Sequence, residues 1–224
     1  MILSHELKYV NYTTPGWYNR YMTDTLYWII FAIPSILIAS TIHEYAHGLI
    51  AYKLGDLTAK VNGRLTLNPL AHIDPIGALA MVFFKFGWSK PVPINENNFE
   101  HREIGSALTA LAGPVSNFLT AGLTALIYKI LQLQGSGPIE FLLYVFIVIN
   151  LSLGIFNLIP IPPLDGHKIV RAILPKKLRY YWEKLENFSF IFILLLLLPF
   201  SPIGDITTSL ISNTLSFLLK VLGF

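Results

Sequence analysis

The chain has 224 residues, 54% hydrophobic and 13% charged, with a mean hydropathy of +0.57 and a formal net charge of +3. Ordinary soluble domains carry about 25% charged residues, so this composition excludes a soluble globular domain and points to one membrane-embedded domain, 1–224. So small a charge excludes a nucleic-acid-binding module, and the lack of cysteine excludes a disulfide framework and a cysteine-based zinc site.

Residues 1–23 read as an interfacial arm, with Trp17, Tyr18, Tyr21, Tyr27 and Trp28 suited to an aromatic belt. No basic stretch followed by an apolar core precedes the first helix, which is expected to act as its own insertion signal. That helix is predicted over 24–54. It would run roughly 46 Å, longer than a bilayer core of about 30 Å, with Pro34 as the expected kink and Gly55-Asp56 as the stop.

Within it stands His43-Glu44-Tyr45-Ala46-His47. Residues four apart share a helix face, so both imidazoles reach one metal ion, and Glu44 beside them is placed to handle a proton on metal-activated water. In a soluble chain this short motif would also fit a solvated helix face. Inside a membrane, unpartnered polar groups are expensive, which favours the metal.

Leu57 to Asn68 carries Asn62-Gly63 between alternating runs and predicts a small β-hairpin with a free edge. His72 and Asp74 lie in the following loop; His72 is a candidate lining residue, with a plain turn as the alternative. Ile76 to Trp88 is apolar but only about 13 residues long, which suits a re-entrant segment. The second span is predicted over Glu103–Gln132, rich in small residues and interrupted at Gly113-Pro114-Val115-Ser116-Asn117. Asn117 is either an interhelical hydrogen-bonding group or part of the site.

After a turn at Gln134–Pro138, the third span covers Ile139–Asn157. It runs into Pro160, Pro162 and Pro163, which forbid regular helix. Asp165 follows, either capping a helix over Gly166–Leu174 or serving as third metal ligand. His167 to Lys184 is the most basic loop and is expected in the cytoplasm. A fourth span includes Phe188–Phe200, broken at Ser201-Pro202. Ile203–Phe224 is a fifth span or an interfacial helix. The fold class is therefore an α-helical polytopic membrane protein. About 4–6 segments surround a three-helix catalytic core at about 24–175, with C-terminal segments at about 185–224.

With the basic loop inside, the third span runs outward to inward, the second inward to outward and the first outward to inward. His43, His47 and Asp165 then fall toward the same, cytoplasmic side of the membrane. Two histidines and a carboxylate give the three protein ligands typical of a catalytic zinc, with one position left for water. Asn157 or Asn117 would hydrogen-bond the substrate or the developing oxyanion.

The H-E-Y-A-H helix, Gly113-Pro114-x-x-Asn117 and N-L-I-P-I-P-P-L-D-G at 157–166 together resemble the site-2 protease family of intramembrane zinc metalloproteases. The resemblance covers roughly residues 36–175. It implies one Zn2+ per chain on His43, His47 and Asp165, with Glu44 as catalytic base. It also implies cleavage of transmembrane protein substrates near their cytosolic ends, as in regulated intramembrane proteolysis. Asn157 matches the family's active-site asparagine by motif position. The chain resembles the short form, without PDZ or nucleotide-binding regulatory domains. The expected setting is the bilayer of a cell membrane, with multiple passes; a homodimer is left open. The free hairpin edge would take an unwound substrate as an added strand.

Two other classes fit some of these residues. A membrane metal-ion transporter would use the same His/Asp site, but it needs further ligands along a path. A scaffold with a structural zinc needs a fourth ligand, for which His167 is the nearest candidate.

Overall fold

A computed structural model describes residues 25–84, 87–133, 137–197 and 202–224. The arm at 1–23, part of the turn after Gln134 and the break at Ser201 lie outside the described residues.

Helix α1 (Thr25–Lys53) takes up nearly all of the predicted first span and passes through Pro34. It ends in a Schellman motif. Gly55 adopts φ +102°, its N–H donates to Tyr52 O at 3.2 Å, and Asp56 N–H donates to Ala51 O at 2.9 Å.

The hairpin expected at 57–68 does not form. The Asp56 carboxylate accepts hydrogen bonds from the Thr58 N–H and hydroxyl, starting a short helix, α2 (Thr58–Val61). Asn62-Gly63 then closes that helix. Gly63 at φ +65° donates to Lys60 O, and Arg64 N–H donates to Ala59 O at 2.8 Å. An Asn-Gly pair serves a left-handed helix end as well as a hairpin turn; here the Asp56 bonds to Thr58, just before the helix, favour the helix. Among the described residues the only β feature is an isolated antiparallel bridge between Ile73 and Ser89. The expected substrate-docking edge therefore has no hairpin to belong to.

A 3-10 turn (Pro69–His72) leads to α3 (Pro75–Phe84), started by Asp74, which accepts from Ile76 and Gly77 N–H. Its 10 residues cover about 15 Å, half a bilayer core. Residues 87–95 are largely extended, and a 3-10 turn (Glu96–Asn98) leads to α4 (Arg102–Ile130). The predicted interruption at 113–117 does not occur: α4 is continuous through Pro114. Neighbouring helices support a proline inside a membrane helix. Helix α5 (Pro138–Asn157) follows; α4 and α5 are long and apolar enough to cross a membrane. After the proline-rich turn come α6 (Asp165–Ile173), α7 (Lys176–Lys184), a 3-10 turn (Leu185–Phe188), α8 (Ser189–Leu197) and α9 (Pro202–Leu222).

Helices α1, α4 and α5 pack on one another as the core, with α6 against α4 and α9 against α5. Small side chains make the close contacts. Ala32 and Ala39 of α1 lie against Phe141, Val145 and Ile149 of α5. Gly154 leaves room for the Phe118 ring, which a Cβ there would meet at 2.8 Å. Ile211, Leu215 and Leu219, one turn apart on α9, pack with Ile147, Val148 and Leu151 of α5.

Residues 87–99 form a strap across the C-terminal half of α1. Lys90 N–H donates to His72 O at 2.9 Å, and Arg64 donates to Lys90 O at 2.8 Å. Asp56, fully buried, accepts from Asn95 N–H and the Asn98 amide. Burial opposes its charge, but the bonds from Thr58, Asn95 and Asn98 outweigh burial and hold its carboxyl below the usual range.

The strap's far end enters an ionic cluster. Buried Arg171 of α6 donates to Glu96 at 2.6 Å and to Ser106 at 2.8 Å, and it lies 3.4 Å from Glu103. Burial opposes the Glu96 charge as well, but Ser106 and Arg171 hold its carboxyl below the usual range.

Removing one partner of a buried pair costs about 3–5 kcal/mol. Arg171→Met should destabilise the protein by about 3 kcal/mol in denaturant titrations at neutral pH. Because the folded Glu96 carboxyl is depressed, its stabilisation is complete above the ordinary carboxylate range. It is lost as pH falls through the lower folded value. The gap between wild type and Arg171→Met should therefore narrow in acid; a gap independent of pH would contradict this account.

Candidate metal centre

His43 and His47 stand one turn apart on α1, their rings edge to face at 4.5 Å. The two Nε2 atoms are 3.0 Å apart, and Asp165 Oδ2 lies 3.2 Å from the first and 3.3 Å from the second. Both histidines are buried. A tetrahedral ion bonded at about 2.0–2.1 Å separates its ligand atoms by about 3.3 Å, so the three donors fit one zinc.

The far side of each ring explains why these atoms converge. His47 Nδ1 donates to Thr109 O at 2.6 Å, a backbone carbonyl of α4 one turn before Gly113. A carbonyl only accepts, so that contact places the proton on Nδ1 and leaves the Nε2 lone pair facing inward. His43 Nδ1 meets Asn117 Oδ1 at 2.6 Å, while the Asn117 amide nitrogen donates to Ala39 O and Asn150 Oδ1. That pattern orients the amide oxygen toward His43 and its ring in the same sense. Asp165 Oδ2 is buried and has no hydrogen-bond donor of its own. Three lone pairs aimed at one point are the donor set of a cation site.

Two glycines make room for this approach. A Cβ on Gly113 would fall 2.5 Å from His47 Nε2 and 2.6 Å from His43 Nε2. A Cβ on Gly166 would strike the Leu158 and Ile159 carbonyls, so glycine lets α6 start tightly against the end of α5. Asp165 is the first residue of α6. Its carboxylate faces the histidines.

The Glu44 carboxylate is held at both oxygens: Ser89 Oγ donates to Oε1 at 3.0 Å and Val92 N–H to Oε2 at 2.9 Å. Pro91 and Pro93 keep this part of the strap extended and leave Val92 as the one N–H donor of the tripeptide.

The other predicted residues are not among the three converging donors. Both amide hydrogens of Asn117 are taken up by Ala39 and Asn150, which leaves none for an oxyanion. Asn157, in the last turn of α5, donates to Leu153 O. His72 is buried and bonds Thr66 O at 2.9 Å, joining the strap to the segment after α2. His167 is buried and is engaged by α7 and the turn after it. It stacks on Trp182 at 5.1 Å, bonds Trp182 O at 3.2 Å and lies 3.4 Å from Glu186; burial pushes its imidazole below the ordinary value. It supplies no fourth ligand, and the closed structural site loses its candidate.

Three supporting contributions were not visible in sequence. The Thr109 contact is a backbone carbonyl, and Ser89 and Val92 come from the stretch between the expected re-entrant segment and the second span. Arg171 lay in what read as a solvated basic run. The single N–H between two prolines was a signal for Val92, without an address.

A family model described as Peptidase family M50 matches residues 126–199. The chain is 34% identical over 194 residues to "Putative zinc metalloprotease YwhC" of Bacillus subtilis (strain 168), a match spanning 84% of this chain and 88% of that one. It is 30% identical over 160 residues to "Zinc metalloprotease MJ0392" of Methanocaldococcus jannaschii, spanning 71% of this chain but 38% of that longer one. No solved structure matches the chain. The chain belongs to peptidase family M50, the site-2 protease family. It is a zinc metalloprotease, and the His43, His47 and Asp165 donors form a group able to hold the zinc.

Outer partners of metal-ligating histidines are typically worth 10–100-fold in metal affinity. Asn117→Ala should therefore weaken zinc retention against a chelator roughly 10–100-fold, with the fold intact by circular dichroism. Gly113→Ala drives a methyl between the two rings and should abolish stoichiometric zinc in the purified protein. Full zinc occupancy in both variants would show that neither residue shapes the centre.

Proposed function

We propose that His43, His47 and Asp165 hold the catalytic zinc and that Glu44 is the general base of an intramembrane protease. The substrates are membrane-spanning segments of other proteins, cut within the span or near its cytosolic end. The observation that supports this most directly is the convergence of three donors to 3.0–3.3 Å inside the helix core. That core contains two helices of bilayer length.

Zinc, when bound, polarises the scissile carbonyl and makes a nearby water a stronger acid. Glu44 takes the proton from the attacking water and returns it to the leaving amine as the C–N bond breaks. Ser89 and Val92 keep its carboxylate fixed between these events. Asn157 is the asparagine left to hydrogen-bond the substrate, since Asn117 is committed to His43, Ala39 and Asn150. Helix α3 serves as a re-entrant segment beside the site, its 10 residues reaching about half-way through a bilayer core. The basic character of 167–184 puts the site toward the cytoplasm of a multi-pass protein in the cell membrane. Regulated intramembrane proteolysis is the process such chemistry serves. Nothing in the structure favours metal transport: among the described residues the metal-binding group is this single one.

Glu44→Gln keeps the shape of the side chain and removes the base. With purified protein in detergent and a tagged single-span substrate, the variant should keep its zinc. It should lose cleavage by at least about 100-fold, the low end of general-base effects. Equal cutting by the metal-loaded variant would remove Glu44 from the mechanism.

A further inference from the structure

Helix α7 has two unlike sides. Its inner side holds the protein together. Trp182 stacks on His167 and donates to His167 O at 3.0 Å, and Arg179 donates to Arg171 O and pairs with Glu103. Its outer side carries Lys177, Tyr180, Tyr181 and Lys184, spaced three, four and seven apart and all exposed. Tyr180 is 57% and Tyr181 65% exposed, Leu178 joins them at the helix edge, and Lys184 Nζ lies over the Tyr180 ring at 4.4 Å. Lys176 is exposed at the N-terminal end.

This outer face suits neither plain water nor hydrocarbon. Lysine cations interleaved with tyrosines match the headgroup layer, where aromatic rings sit at the interface and ammonium groups meet phosphate. The helix is also in the right place: α5 has just ended at Asn157, and the strongly apolar α8 begins at Ser189. From the charge complementarity and this position, we infer that the outer face of α7 binds the anionic phospholipid headgroups of the membrane in which the protein sits. The inference rests on the reading that α4 and α5 cross a bilayer. It adds a lipid preference that the reading does not contain. The contact has a route to the site, because the His167–Trp182 bonds make α7 one piece with α6, which begins at Asp165.

The chain has no cysteine, so a single label is clean. Tyr181→Cys, or Lys177→Cys should that variant fold poorly, carries a bimane fluorophore. The full protein is reconstituted in vesicles of phosphatidylcholine alone, or of equal parts phosphatidylcholine and phosphatidylglycerol, each containing lipid spin-labelled near the headgroup. Quenching should rise about twofold or more with phosphatidylglycerol and fall back in high salt. It should also fall back when Lys176, Lys177 and Lys184 are changed to Gln (with the label then at 181). Equal quenching in both vesicles overturns the inference while leaving the membrane reading standing, provided the protein floats with the lipid and resists carbonate extraction. Failure to insert overturns both. Shielding of the label by an acidic peptide, with no effect of phosphatidylglycerol, would make this face a protein-docking site instead.

Discussion

The structure depends on the Nδ1 side of two buried rings. Burying a polar group without a partner costs a few kcal/mol, so His43 and His47 could not stand in the α1–α4 contact without acceptors behind them. Asn117 and the Thr109 carbonyl supply these acceptors, and in doing so turn both Nε2 atoms toward Asp165. The chain of support runs further back. Asn117 is fixed by Ala39 O on α1 and by Asn150 on α5, itself bonded to Phe146 O. One amide thus registers all three core helices against each other, and the metal centre inherits that register.

A second set of contacts carries α6 and the strap. Arg171 ties the helix that begins at Asp165 to Glu96 in the strap, and the strap holds the Glu44 carboxylate through Ser89 and Val92. The proposed ligand and the proposed base come from different elements and share this one connection. Asp56 serves the same strap from the other side, at the end of α1. The polar loop between two apolar helices is thereby a structural part of the site, through its backbone N–H at Val92 and the Ser89 and Glu96 side chains alike.

What the sequence made legible, and what it did not, follows from this division. The pairing of His43 with His47 was readable because helical periodicity alone puts both rings on one face. The approach of Asp165 to the two histidines was foreshadowed by the three prolines that force a turn before it and by the Lys/Arg bias at the span ends, which predicts all three toward one side. The run at 57–68 was misread because Asn62-Gly63 suits two kinds of left-handed turn, and the deciding group, Asp56, lies outside the alternating stretch. Pro114 was misread because a proline breaks an isolated helix but not one braced on two sides. The Val92 and Thr109 contacts were out of reach for a simpler reason: every residue carries a C=O and all but proline an N–H, so only the fold tells which ones point at the site.

The pattern of exposure completes the argument for a bilayer. Leu108, Leu111, Val115, Leu119 and Leu123 of α4 face outward, while Ser35, Thr41, His43, Glu44, His47, Asn117 and Asn150 are buried. In water this distribution would waste apolar surface and strand polar groups. In lipid it is the stable one, since an outward leucine loses nothing and an inward polar group finds partners. The hydroxyls inside show how α1 tolerates its load. Ser35 donates to Phe31 O and Thr41 to Leu37 O, each back to the carbonyl one turn earlier. The helix satisfies these hydroxyls within itself, and of the buried polar groups just named on α1 only the two rings and Glu44 take partners from outside it. Those are the groups whose partners come from α4, α6 and the strap, so the polar residues α1 cannot satisfy alone are the ones around which the other elements are arranged.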